Sequence, residues 1–474
     1  MSSLCPAPHS PAMQATPARA ATAGLPPLFA LAIGFIMAML DVTIVNVALP
    51  SIAAQFGTPL SGLVWIVDGY TLTFAAFLLA AGALSDRYGA KAVYLAGLAL
   101  FTVASLLCGA APDTGMLVAA RLLQGVGAAL FMPSSLSLLA HAYQDEHERG
   151  RMLAAWAAII TTAASAGPLV GGLLISLLGW RSIFLLNLPL GLLGLWLAHT
   201  RLASPAPRPR PIDPVSHLLG IATLGSACFA LVQGNVYGWV SARILAAAAL
   251  AVLLGAALVV RERRHPHPIV PRALLATPGY LPANAYGFLA SFTAYGLIFL
   301  LSLYMQQALG ATPLQAGLRL LPMLAALTLG NLASGRLAAR WGAPAVMMGG
   351  AALGALSSIA LCLAYTPESP YLMLLALVGL GNLAAGAAIP AMTGLAMRLG
   401  GHAGANSASA LLNTNRQAGT LVGVAVVGTT LHALPDWHAS LPVALGLMGI
   451  AYVVNMAIVL RYLLPRAGQA AATP

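Results

Sequence analysis

The sequence predicts an all-α integral membrane protein with fourteen transmembrane helices. They form two pseudo-symmetric six-helix halves with two extra helices between them. Three observations predict this. The chain of 474 residues is 59% hydrophobic and only 7% charged. A soluble domain carries roughly a quarter charged residues, so most of this surface cannot face water. The apolar residues fall into runs long enough to cross a bilayer, for which about 20 are needed. One stretch also occurs twice. Gly82-Ala83-Leu84-Ser85-Asp86-Arg87-Tyr88-Gly89-Ala90-Lys91-Ala92-Val93 returns 253 residues later as Gly335-Arg336-Leu337-Ala338-Ala339-Arg340-Trp341-Gly342-Ala343-Pro344-Ala345-Val346. Gly167-Pro168-Leu169-Val170-Gly171 returns as Gly419-Thr420-Leu421-Val422-Gly423, at an offset of 252.

Taken in order, residues 1–26 are rich in Ala, Pro and Ser and read as a disordered cytoplasmic tail. The first apolar run is too long for the core of a cleaved signal peptide. The spans are expected near 28–50, 64–83, 93–111, 115–138, 153–177 and 182–200, giving a first half over 27–200. Residues 201–280 carry two more apolar runs, near 215–233 and 243–260, joined by basic linkers. The linker Ala203–Pro211 alternates Pro with small or basic residues and reads as stiff and solvated. Leu245 to Val260 is apolar all round, which suits a lipid-embedded helix better than one lying on the surface. Spans near 281–304, 314–333, 344–364, 370–396, 407–431 and 441–463 complete a second half over 281–464, and 465–474 is a short tail.

Charge sets the orientation. With the N-terminus in the cytoplasm, 17 of the 22 Lys and Arg residues lie in inside loops and tails, two lie outside and three lie within spans. This asymmetry places both termini inside. The net charge of +11 does not indicate nucleic acid, because the basic residues are not clustered with aromatics on one face. The four cysteines have no metal-ligand spacing, and no disulfide is expected. No cofactor or metal is expected, and no G-x-x-x-x-G-K-[ST] phosphate loop is present.

Several motifs, in order, resemble the major facilitator superfamily, specifically its fourteen-helix drug–proton antiporters. The first helix ends Leu40-Asp41-Val42-Thr43-Ile44-Val45-Asn46-Val47-Ala48-Leu49-Pro50, similar to that group's first-helix signature. The stretch Gly82–Val93 resembles the superfamily's motif between helices 2 and 3. Arg121-Leu122-Leu123-Gln124-Gly125-Val126-Gly127-Ala128-Ala129 is similar to its helix 4 motif. Gly167-Pro168-Leu169-Val170-Gly171-Gly172 is similar to the helix 5 antiporter motif. Gly179-Trp180-Arg181-Ser182-Ile183-Phe184 and Asn187-Leu188-Pro189 follow, with Ser182 where an aromatic is usual, and Tyr304–Gly317 also looks like this group. The resemblance covers nearly all of 28–463. It implies a proton-coupled antiporter of the cytoplasmic membrane that exports hydrophobic or amphipathic small molecules by alternating access. The alternative is a dedicated transporter of one metabolite. The expected partners are the substrate, protons and the lipid bilayer, with the chain a monomer and not an enzyme.

These motifs also have a physical reading. Gly82 and Gly89 permit a tight turn between helices 2 and 3. Asp86 is an acid beside Arg87 and Lys91, either a solvated topology loop or, by resemblance, a cytoplasmic gate docked on the other half. The expected receiver is the start of helix 13 around Asn406-Ser407, since a helix N-terminus attracts a carboxylate. The second copy has Ala339 where the first has Asp86. Gly167, Gly171 and Gly172 make a small-residue ridge for close helix packing, and Pro168 bends its helix.

Ionisable groups inside spans are few and costly, which makes them functional candidates. Asp41 lies more than halfway along helix 1, and Arg121 in helix 4 is its candidate partner, as a static pair or as proton-coupling machinery. Asp68, toward the outer end of helix 2, reads as a second proton or cation site or as an interfacial acid open to outside water. Arg416 lines a cavity or holds a structural hydrogen-bond network. The remaining cavity candidates are Asn46, Trp65, Tyr70, Gln124, Tyr304, Gln306 and Gln307.

Overall fold

Six of the helices begin where the sequence supplies a capping oxygen. Asp113 accepts from the Met116 amide and Asp145 from the Glu148 amide, each opening a long helix. Thr312 and Gln315 form a reciprocal capping box. Asp436 accepts from the His438 amide. Three of the acids outside the membrane spans thus serve helix entry.

The computed structural model describes residues 26–143, 145–203, 213–265, 268, 271–366 and 369–464. Most of the N-terminal tail, the C-terminal tail from 465 and most of the Ala203–Pro211 linker lie outside the described residues. The described chain is helical, with no strand among those residues. Fourteen long helices run in order. They are α1 (Pro26–Phe56), α2 (Leu60–Tyr88), α3 (Ala90–Ala110), α4 (Thr114–Ala142), α5 (Glu146–Leu178), α6 (Ser182–Arg201), α7 (Pro214–Tyr237) and α8 (Ala242–Arg264). Then come α9 (Tyr280–Leu303), α10 (Pro313–Trp341), α11 (Ala343–Ala364), α12 (Tyr371–Leu399), α13 (Gly401–Ala433) and α14 (Trp437–Ile458). Twelve of these are long and apolar enough to cross a membrane. The other two, α5 and α13, have 33 residues each, about 50 Å at 1.5 Å per residue. The first turn of α5 holds Glu146, His147, Glu148 and Arg149, and that of α13 holds His402.

The packing repeats between halves. In the first, α1 packs on α5 and α6, α2 on α4, and α3 on α4 and α6. In the second, α9 packs on α13 and α14, α10 on α12, and α11 on α12 and α14, the same set shifted by eight. Across the halves, α5 meets α10, α2 meets α13 and α1 meets α9. The extra helices α7 and α8 pair as a hairpin, and α7 seats against α2 and α13. Exposed apolar residues such as Val252, Leu253 and Leu245 cover α8, as a lipid-facing helix requires.

The structure corrects several boundaries. Residues 82–88 are the last turns of α2 rather than a loop, so Gly82 is helical and only Gly89 makes the turn, at φ 91°. Gly342 makes the equivalent turn in the second copy at φ 81°. A side chain is strained in that left-handed region, which explains why both copies keep this glycine. Helix α13 starts at Gly401, several residues before the expected Asn406-Ser407. Those two residues therefore lie inside the helix and are not its free N-terminus, whose unpaired amides are confined to the first turn.

Candidate functional site

Asp41 sits on α1 and Arg121 on α4, 80 residues apart in sequence, and the fold brings them into a salt bridge through Arg121 Nη1 and Asp41 Oδ2. Both side chains are about 1% exposed. An ion pair this deep holds only if its remaining valences are met, since removing each ion from water costs several kcal/mol, roughly. They are met. Arg121 Nε donates to the Ile66 carbonyl at 2.9 Å and Nη1 to Gln124 Oε1 at 2.7 Å. Gln124 Nε2 donates to Asp41 Oδ1 at 3.0 Å and to Ser105 Oγ at 2.9 Å. Asn187 Nδ2 donates to the same hydroxyl at 3.3 Å. The guanidinium also lies over the Tyr70 ring at 4.5 Å. The network therefore ties α1, α2, α3, α4 and α6 together. Asp41, Arg121 and Gln124 can be picked out in the sequence, but Ser105 could not be. A serine in an apolar helix carries no signal until its neighbour is known.

Gln124 thus belongs to the ion-pair network and is fully buried in it, rather than facing a cavity. The cleft itself lies between the halves beside the pair. Asn46, Tyr70 and Arg121 line it from the first half, with Tyr295, Thr420 and Val424 from the second. Asn46 Oδ1 and the Tyr70 hydroxyl are buried there without a hydrogen-bond partner among the described residues. Trp65, Tyr304, Gln306 and Gln307 are not on its wall.

Those last residues gather near the end of the bundle that carries the α1–α2 turn. Tyr304 is buried against Tyr365 and Trp437 and shares a hydrogen bond with the Tyr365 hydroxyl. The chain there widens into a π-helical turn, Tyr304–Ala308. Pro50 has no N–H, so the carbonyl of Asn46 one turn earlier has lost its helical donor. Ser302 Oγ supplies one from the other half at 2.9 Å, and Gln306 Nε2 donates to the adjacent Val47 carbonyl at 3.1 Å. Close backbone approaches fall toward the same end. A Cβ on Gly172 would stand 2.5 Å from the Pro313 carbonyl, and one on Gly317 would strike the Pro168 carbonyl. Gly167 and Gly171 serve a different neighbour, since a Cβ on either would meet Thr43 or Ile44 of α1. The helix 5 motif therefore packs α5 on α1 with one pair of glycines and on the other half with Gly172 and Pro168.

Asp68 departs from its expected place at an outer mouth. It is 0% exposed, and neither carboxyl oxygen has a hydrogen-bond partner among the described residues. The Cys228 thiol on α7 is near enough to interact with its charge. The extra helix α7 packs on α2, which the sequence of α2 could not reveal. At the opposite end of the bundle, Asp86 and Arg87 are exposed. Lys91 Nζ donates to the carbonyls of His199 and Leu202, both at 2.8 Å. It caps the end of α6 within its own half. The side chains of Asn406 and Ser407 lie outside the described residues.

Asp213 anchors the α7–α8 hairpin at that end. Arg261 donates to both of its oxygens, at 3.0 and 2.9 Å, and Ser216 Oγ donates at 2.7 Å. The Arg261 hydrogen bonds hold the Asp213 carboxyl well below the usual carboxylate range.

A duplicated helical bundle with a buried ion pair beside an interdomain cleft is the build of a secondary transporter. The comparisons agree. The Major Facilitator Superfamily profile matches residues 31–424 and again 283–473, the second match starting near the head of the second half. The chain belongs to that superfamily and is a multi-pass membrane transporter. It is 44% identical over 448 residues to the methylenomycin A resistance protein of Bacillus subtilis, covering 94% of this chain and 96% of that one. It is also 44% identical to the protein of the same name from Streptomyces coelicolor, with 90% of each chain covered. Among solved structures, a peptide transporter POT in complex with sulfate superposes with a TM-score of 0.71 over 94% of this chain and 95% of that one. At 16% identity that likeness concerns the fold alone.

Proposed function

We propose that this chain is a proton-coupled antiporter exporting hydrophobic or amphipathic small molecules, antibiotics among them, across the cytoplasmic membrane. The observation that carries the coupling is the buried Asp41–Arg121–Gln124 network beside the cleft. While Asp41 is ionised, each of its carboxyl oxygens accepts a hydrogen bond, one from Arg121 and one from Gln124. A proton on Asp41 removes the only anion paired with Arg121 and leaves a cation at the cleft wall, so proton arrival and cleft chemistry are linked. Asp68 is a second proton-responsive carboxyl, set between α2 and α7. A charge crossing the membrane gains about 2.3 kcal/mol per 100 mV, which suffices to drive export uphill.

In this reading 27–200 and 281–464 are the two moving halves and 201–280 joins them, with both termini in the cytoplasm. The α1–α2 end then faces outside, and Ser302, Gln306, Gly172 and Gly317 hold it closed. Asp86, Arg87, Gly89 and Lys91 mark the cytoplasmic gate, with Lys91 fixing the end of α6 that frames it. The protein acts as a monomer. The relatives at 44% identity are named for a single antibiotic, methylenomycin A, which makes that compound the first substrate to test against a broader panel. The decisive experiment is efflux from cells and uptake into inverted vesicles, with and without a proton gradient. Transport that ignores the gradient rejects the proposal.

A further inference from the structure

We infer that Arg416 is an anion receptor, and that the substrate this cleft takes best is a small hydrophobic carboxylate. The inference deepens the export reading above and rests on it for the word substrate. It starts from a difference between the two halves. Each carries one arginine near mid-bundle, Arg121 on α4 and Arg416 on α13. Arg121 is matched by Asp41. Among the described residues no carboxylate pairs with Arg416. The second half contains only two acids, Glu368 and Asp436; Asp436 lies in the turn before α14, and Glu368 lies outside the described residues. Asp436 lies beyond the far end of α13, about 25 Å or more from Arg416 at 1.5 Å per residue. Asp41 is engaged by Arg121, and Asp68 is buried on α2.

The one hydrogen bond described for Arg416 runs from Nε to Ser291 Oγ, at 3.3 Å. Its two terminal nitrogens have no described protein partner, and they are not among the sealed polar atoms. They keep the planar fork that fits a carboxylate bidentately. The position is next to the cleft. Arg416 lies one turn before the lining residue Thr420 on α13, and Ser291 one turn before the lining residue Tyr295 on α9. Above it, Val42, Val45, Val67 and Val424 offer an apolar wall, while the Tyr70 hydroxyl and Asn46 Oδ1 wait without partners. A charged group in a bilayer-spanning bundle is costly unless it serves a pathway or a partner. One unmatched cation fits one negative charge. A phosphate dianion would require a second free cation, and Arg121 is taken. The geometry thus selects a monoanion with an apolar body and a hydrogen-bonding group.

The test uses purified full-length protein in lipid nanodiscs and two fluorescent probes, dansylglycine and its neutral amide. The parent should bind the acid at least about tenfold more tightly than the amide, the scale of a charge-assisted pair. Arg416→Gln should lose that preference and still bind the amide within about twofold of the parent, which also reports that the variant is folded. Arg416→Lys should keep a reduced preference, since it retains the charge and loses the fork. A parent that binds the amide as well as the acid, or binds neither, overturns the inference. So does a Gln variant that still prefers the acid, or loss of both probes in both variants. Proton-driven transport of the amide in vesicles is measured in parallel. If that fails while the parent binds the acid selectively, the export reading falls and the anion site stands.

Discussion

The Asp41–Arg121 pair can be weighed by a double-mutant cycle. Asp41→Asn keeps the shape and one acceptor oxygen but removes the charge. Arg121 then retains Gln124 Oε1, the Ile66 carbonyl and the Tyr70 face, with no counter-ion among the described residues. Breaking a buried pair by removing one partner costs about 3–5 kcal/mol, because the survivor is left charged and desolvated. The retained acceptors place Asp41→Asn near the lower end of that range. Arg121→Gln alone leaves Asp41 with only the Gln124 amide and should cost a similar amount. The double variant removes both charges from a site with enough polar groups to satisfy two amides, so it should recover much of the loss. With about 3 kcal/mol for each single variant and about 1–2 for the double, the cycle should return a coupling of roughly 4–5 kcal/mol. The assay is reversible unfolding in mixed micelles for each of the four proteins, paired with proton-driven export in vesicles. Export should vanish in Asp41→Asn and stay absent in the double variant, although its stability returns. A coupling below about 0.5 kcal/mol would show that the pair is energetically idle. Undiminished export from Asp41→Asn would remove Asp41 from the proton pathway.

Three further outcomes follow from particular contacts. Asp68→Leu should raise stability by about 1–3 kcal/mol, since it replaces a buried, unpartnered polar group by an apolar one; thermal unfolding of the variant below the parent would refute that placement. Ser302→Ala removes a cross-half hydrogen bond to the carbonyl freed by Pro50, worth about 1 kcal/mol. It should shift the balance toward opening of the α1–α2 end about fivefold, read as labelling of cysteines placed there, and an unchanged labelling rate would deny the contact a gating role. The Asp213–Arg261 clamp holds a carboxyl below its usual range, so its contribution to stability is present above the unfolded carboxylate pKa and is lost only as pH falls through the lower folded value. Protease resistance of the α7–α8 hairpin should therefore be level between pH 7 and about 5 and be reduced throughout that range in Asp213→Ala; a decline in the parent near neutral pH would contradict it.

The sequence by itself determined the class of fold. Helix number and duplication were legible because lipid imposes long apolar runs and because the Gly89 and Gly342 turns demand the same backbone. The charges that matter were legible too, since an Asp or Arg inside such a run is conspicuous. Tertiary structure decided which of them meet. Asp41 and Arg121 are 80 residues apart, and only helix packing makes them a pair with Gln124 and Ser105. Asp68 read as a proton or cation site or as an acid open to water, because its own helix says nothing of α7, which packs on α2 from far along the chain. Arg416 read as ambiguous because isolation is a property of three-dimensional surroundings. Its lack of a carboxylate partner among the described residues became visible only once the helices were packed. Periodicity and composition act along the chain, whereas pairing and desolvation depend on distances between helices, which no single segment encodes.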